Sequence, residues 1–118
     1  MSMYMGTITE LGIALTDLVE QHADWSRETF GSDTVRGPEG PLKHLAKEAK
    51  EALEAVDQAH FKEEMADCLL LLLDASRRGG IKVMQLVEAA QAKLKVNKLR
   101  EWPETSATEP VEHVKETA

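Results

Sequence analysis

Apolar residues recur every three or four positions along most of the chain, the period of an α-helix with one face turned to a core. The first stripe is Ile8, Leu11, Leu15, Leu18, Val19, His22 and Trp25. Thr7 and Glu10 write a capping box at its start, so a helix is predicted to about Phe30. GSDTVRGPEGP, from Gly31 to Pro41, gathers glycines and prolines that stop a helix and predict a surface loop, ordered or mobile. From Pro41 a second stripe of Leu42, Leu45, Ala49, Leu53 and Val56 predicts a helix ending near Ala59. A third, from about Phe61 to Arg78, contains the leucine run Leu69 to Leu73 and ends at Gly79-Gly80 behind Arg77 and Arg78. Five successive positions sweep about 400° of a helix, so this element is expected to be surrounded by others. Val83, Leu86, Val87, Ala90 and Leu94 mark a fourth helix to about Trp102, before Pro103.

No β-branched alternation or hairpin signal interrupts this pattern, which predicts an all-α fold of four principal helices. No internal repeat or low-complexity tract stands out. At 118 residues the chain fits one domain, here assigned to residues 1–103, with 104–118 as a polar tail expected to be flexible or disordered. A lone four-helix monomer would leave leucines of the third helix in water, so the bundle is expected to be completed by oligomerisation, as a dimer or a tetramer.

With 42% hydrophobic and 30% charged residues the chain belongs among globular proteins. Fourteen basic against 21 acidic residues leave a formal charge of −7, which speaks against nucleic acid or an anionic membrane as partner. The longest apolar run, Cys68 to Leu73, is far short of the roughly 20 residues of a membrane span. Cys68 is the single cysteine and cannot form an intrachain disulfide. The start, MSMYMGTITE, lacks the charge and apolar pattern of a secretory signal, so a reducing, cytoplasmic setting is expected. Cys68 itself, inside a leucine-rich helix, is expected to be a small core residue.

The chemistry lies in two acidic pairs. Glu48 and Glu51 on the second helix, and Glu64 and Asp67 on the third, each follow E-x-x-E/D, which puts both carboxylates of a pair on one helix face. Other pairs at this spacing, such as Asp17 with Glu20, read as solvated charge. Glu48 and Glu51 flank the core edge of their helix, and Glu64 and Asp67 share a face with Leu71 on a helix expected to be buried. Buried carboxylates need a proton, a cationic partner or a metal. Two facing pairs suit a hard divalent cation such as Mg²⁺, with salt bridges to Lys or Arg as the alternative. On the fourth helix Lys93, Asn97 and Arg100 form one polar stripe. A point charge, an amide and a planar guanidinium there could grip phosphate, or could simply be a solvated helix end.

These motifs in this order resemble the all-α nucleoside triphosphate pyrophosphohydrolases, the MazG-like superfamily. Its metal motif is met by Glu48, Glu51, Glu64 and Asp67. Its downstream K-x-x-x-N-x-x-R, followed by an aromatic residue and proline, is met by Lys93, Asn97, Arg100, Trp102 and Pro103. WSRETFG at Trp25 to Gly31, GPEGPLKHLAKEAKEAL at Gly37 to Leu53 and LLLDASRRGG at Leu71 to Gly80 are similar to the dATP/dGTP branch, known from bacteriophages among other sources. The resemblance covers roughly Ile8 to Pro103.

It implies a four-helix MazG-like bundle and hydrolysis of a purine deoxynucleoside triphosphate to monophosphate and pyrophosphate, in the host cytoplasm for a phage-encoded chain. The cofactor implied is Mg²⁺, with Mn²⁺ as a substitute, held by the four acids. Glu48 or Glu51 would orient or deprotonate the attacking water, and Lys93, Asn97 and Arg100 would hold the triphosphate. Trp25, Phe30 and His44 are candidates for the nucleoside pocket, where flat rings stack on a base, although a Trp on an apolar stripe also suits a core. Asp74 could be a further ligand or a helix-packing partner. Two other readings stand beside this one: the same chemistry on dUTP, dCTP or a modified nucleotide, and a noncatalytic helical adaptor.

Overall fold

Among the described residues, 6–104 and 107–115 of a computed structural model, four helices and no strand form: α1 (Ile8–Phe30), α2 (Glu39–Leu53), α3 (Gln58–Arg78) and α4 (Val83–Leu99). The all-α architecture is as the periodicity predicts. Residues 1–5, 105–106 and 116–118, the last two stretches belonging to the expected tail, lie outside the described residues. No described helix is long and apolar enough to cross a membrane.

Local signals set most helix ends. The Glu10 amide donates to Thr7 Oγ1 at 3.0 Å and the Thr7 amide donates back to Glu10 Oε2 at 3.2 Å, closing the capping box of α1. At the end of α3 the Ile81 amide reaches Ser76 O and the Gly80 amide reaches Arg77 O, both at 2.9 Å. This is a Schellman cap, and Gly80 takes the positive φ, 86°, that it requires.

The α2–α3 junction differs from expectation. α2 stops at Leu53, six residues before Ala59, and α3 starts at Gln58, because Asp57 takes an extended backbone and its Oδ1 accepts the His60 amide at 2.8 Å. That N-cap outweighs the apolar spacing that carried the predicted helix through Val56, which is exposed. Four connecting residues make α2 and α3 an antiparallel hairpin.

The chain divides into two compact units, Met1–Val83 and Met84–Ala118. In the first, α3 packs against both α2 and α1. Its central place holds, and in the single chain Leu69 and Leu72 are each 42% exposed, as expected of leucines that one copy alone does not cover. Two neighbouring helices cover only two sides of a cylinder, and the buried stretch is Leu73, Asp74, Ala75 and Arg78. In the second unit the Asn97 carbonyl accepts the Trp102 indole N–H at 2.7 Å, the Val114 amide donates to Glu101 O at 2.7 Å, and Trp102 and His113 meet edge to face.

Two of the four buried residues of α3, Asp74 and Arg78, are charged. Asp74 Oδ1 accepts from Ser26 Oγ of α1 at 2.6 Å and from Arg77 Nη2, and Oδ2 accepts from Arg78 Nε at 3.3 Å. The Arg78 guanidinium, with no exposed surface, spends its remaining donors on Ser26 Oγ and on the carbonyls of Ser26, Gly31, Ser32 and Arg36 at 2.9–3.2 Å. It therefore ties the last turn of α1 and the following loop to α3. Asp33 adds an outer layer, accepting from Arg27 Nη2 at 3.0 Å and Arg77 Nε at 3.2 Å. Of its two expected roles, Asp74 takes that of packing partner.

Burial works against the Asp74 charge, but the Ser26 hydroxyl, the bonded Arg77 and the positive charges of Arg77 and Arg78 outweigh it and hold the carboxyl below the usual aspartate range. Asp74→Asn should destabilise the fold by about 3–5 kcal/mol in urea unfolding at pH 7, because Arg78 would stay buried with its nearer counter-charge gone and only Asp33, at 3.8 Å, remaining. A depressed folded-state pKa stabilises fully above the unfolded value and fades as pH falls through the folded one. The variant should therefore lose stability less steeply than the wild type on acidification below pH ~4.

Candidate active site

The hairpin puts the acids of α2 and α3 on facing turns. Glu48, Glu51 and Glu64, all half-buried, offer carboxylate oxygens within 4.8 Å of one another. Like charges at that separation repel by roughly 3 kcal/mol per pair at an effective dielectric of about 20, so a cation is the natural occupant. Glu64 sharpens the point. Its Oε2 is buried and has no hydrogen-bond partner, while its Oε1 accepts from His60 Nε2 at 3.2 Å. An orphaned carboxylate oxygen among other acids fits a hard divalent ion, which prefers oxygen ligands. Glu48 Oε1 likewise accepts from His44 Nε2, at 2.9 Å.

Asp67 is exposed and falls outside this three-acid group, but it shares with Glu48 a cleft of about 280 Å³. Its walls include His22, Trp25 and Phe30 of α1, Arg36 of the loop, Pro41 and His44 of α2, and Leu70, Leu71 and Asp74 of α3. Trp25 is 54% exposed, so it is not the core residue that its stripe position allowed. It meets Phe30 edge to face, with centroids 5.4 Å apart, and stacks against His22 at 6.2 Å. Arg36 covers the Phe30 ring at 5.2 Å. The acid group and the aromatic wall therefore meet at Glu48, in a space at the small end of the range for small-molecule sites.

A larger cleft, about 420 Å³, is lined by Val19, His22, Arg27, Leu73 and Arg77 among others and includes none of the motif acids. Burial, with Arg77 and Arg78 adding to it against the opposing pull of Asp74, lowers the His22 pKa below the usual imidazole value. Cys68 is half-buried. Burial first, then the charges of Glu48, Glu64 and Asp67, raise its thiol pKa, as befits an unreactive side chain.

Lys93, Asn97 and Arg100 belong to the second compact unit. There Arg100 Nη1 donates to Asn97 Oδ1 at 3.2 Å. Sequence reasoning passed over His60 and Arg36. The first was findable, since it precedes Glu64 by the same four residues as His44 precedes Glu48. The second was not, because its place over Phe30 depends on the loop that Arg78 holds.

The hairpin brings together Glu48 and Glu51 of the first acidic pair and Glu64 of the second, and its fold is shared with a protein of known structure. A MazG-like pyrophosphohydrolase of Cyanophage S-2L, solved with dGDP and three catalytic Mn²⁺ ions per active site, superposes with a TM-score of 0.67 at 30% identity, covering 87% of this chain and 95% of that one. The family model of dATP/dGTP pyrophosphohydrolases matches residues 18–118, and the chain belongs to that family of enzymes. Among curated relatives, the Eaa protein of Salmonella phage P22 is 48% identical over 81% of this chain, and the dATP/dGTP diphosphohydrolase of Cyanophage S-2L is 40% identical over 57% of it. The matched regions span 28% and 60% of those two relatives.

Proposed function

We propose that this chain hydrolyses the purine deoxynucleoside triphosphates dATP and dGTP to the monophosphate and pyrophosphate with Mg²⁺ or Mn²⁺, in a cytoplasmic setting. The observation that carries the reading is the meeting of Glu48, Glu51 and Glu64 within 4.8 Å, with one buried oxygen of Glu64 unpartnered. The dGDP and Mn²⁺ of the cyanophage structure support it.

Glu48, Glu51 and Glu64 would hold the cation, and Asp67 would complete the set from the rim of the cleft. When bound, the ion supplies charge neutralisation at phosphate and a lowered pKa for a bound water. Trp25 and Phe30 offer faces for the base, with His44 at the same wall. Glu48 or Glu51, whichever releases a carboxylate oxygen from its other contacts, would orient the water and accept its proton as the oxygen bonds to the α-phosphorus and the bond to the bridging oxygen of pyrophosphate breaks. Lys93, Asn97 and Arg100, by their side-chain chemistry, hold the triphosphate and stabilise charge on the leaving pyrophosphate. The exposed leucines, Leu69 and Leu72 among them, are proposed to be covered in a homodimer or tetramer.

Purified chain should release pyrophosphate from dATP or dGTP only with Mg²⁺ or Mn²⁺ present. Glu64→Gln and Asp67→Asn should abolish turnover with the helical circular dichroism intact; full activity in both variants would remove the metal assignment. A preference for dUTP or dCTP in the same assay would redirect the substrate.

Arg100→Ala should cost roughly 1.5–3 kcal/mol in kcat/KM, and equally for dATP and dGTP, since a phosphate contact carries no information about the base. Trp25→Ala should instead change the ranking among nucleotides. Kinetics of both variants on several triphosphates separate the two roles.

Light scattering at micromolar concentration should return a multiple of 13.1 kDa. A monomer mass would count against leucine burial by association.

A further inference from the structure

The sequence H-x-x-x-E-x-x-E at His44 to Glu51 is answered sixteen residues later by H-x-x-x-E-x-x-D at His60 to Asp67. On each helix the histidine stands one turn before the first acid of the pair, and on each its Nε2–H donates to Oε1 of that glutamate, at 2.9 Å for Glu48 and 3.2 Å for Glu64. Neither histidine is in the core: their side chains are 54% and 42% exposed, whereas each glutamate side chain is 12% exposed. The contacts therefore act on the acids rather than on the fold. At Glu64 the division of labour is complete, since Oε1 is held by His60 and Oε2 is buried and unpartnered.

We infer that His60 and His44 are positioning residues, each fixing one oxygen of the glutamate a turn ahead so that the other oxygen faces the cation. The inference rests on the metal reading proposed above. Three carboxylates this close repel and would turn apart before a cation arrives. An N–H donor on the same helix opposes that without occupying a ligand position, and i, i+4 spacing supplies it with no tertiary partner. Partners of this kind raise metal affinity by keeping the ligand oriented in advance. Glu51 and Asp67 have Lys47 and Glu63 at the corresponding position, so the device belongs to the first acid of each pair.

The test is Mn²⁺ binding to the full chain, followed by the electron paramagnetic resonance of free Mn²⁺, with circular dichroism to confirm folding. The His60 amide that caps α3 is backbone, so its bond to Asp57 survives side-chain replacement. His60→Leu should weaken binding about 10- to 100-fold, and His60→Gln, which restores an N–H donor, should recover most of that loss. His44→Leu and His44→Gln should behave in parallel. Pulsed resonance of the bound ion should show no directly coordinated imidazole nitrogen.

Unchanged affinity in His60→Leu, or equal weakness in His60→Leu and His60→Gln, would overturn the inference. So would a coordinated nitrogen signal that disappears in His60→Gln, which would make His60 a ligand. Glu64→Gln separates the two levels. If it abolishes binding while His60→Leu does not weaken it, only the positioning role falls. If Glu64→Gln binds like the wild type, the metal reading falls and takes the inference with it.

Discussion

The buried ion pair between Asp74 and Arg78 is the constraint on which the arrangement of the first three helices depends. A guanidinium with no exposed surface must find a partner for its charge and for its donors. Asp74 supplies the charge, and carbonyls at the end of α1 and in the following loop take up most of the donors. Satisfying Arg78 therefore sets where α1 ends relative to α3 and what path the chain takes to α2. A hydrophobic contact would tolerate sliding by an ångström or two; this set of directed bonds does not. The small apolar core, Ala23, Leu73 and Ala75, lies next to this polar centre in sequence and adds little bulk of its own.

The cleft inherits its shape from that network. Phe30 ends α1, and Arg36 lies in the loop whose carbonyls Arg78 holds, so two walls of the cleft are placed by contacts outside it. The acids are placed separately, by the α2–α3 hairpin and by the Asp57 cap that decides where α3 begins. A shift of one residue in that cap would turn Glu64 and Asp67 by about 100° and remove them from Glu48 and Glu51. Aromatic wall and acid group thus rest on two different local devices that meet at Glu48.

Charge is handled in opposite ways at the two centres. Around Asp74 the acid is outnumbered by guanidinium groups and hydroxyl donors, and its charge is settled within the protein. Around Glu48, Glu51 and Glu64, among the described residues, no arginine or lysine forms an ion pair with the group; the donors present are histidine nitrogens on single oxygens of Glu48 and Glu64. One centre is closed and structural. The other is left short of positive charge, which is the condition of a site made for a cation.

By itself the sequence determined the helices and the chemistry that rides on them, because those depend on neighbours a few residues away. The Thr7–Glu10 capping box and the Gly79-Gly80 ending are local, and each appears in the structure where the pattern places it; of the four acids in the E-x-x-E and E-x-x-D spacings, Glu48, Glu51 and Glu64 meet and Asp67 stays outside their group. The end of α2 was misread because apolar spacing through Val56 and an aspartate cap at Asp57 are competing local signals, and only the folded hairpin shows which prevails. Asp74 as a packing partner, Trp25 as an exposed wall and Arg36 over Phe30 were decided by tertiary structure alone. Their partners lie on other segments or on a loop held from a distance; Ser26 is 48 residues from Asp74 and 52 from Arg78. Whether an acid or a ring on a helical stripe meets a cation, a guanidinium or water depends on which helix packs across from it, and periodicity carries no record of that.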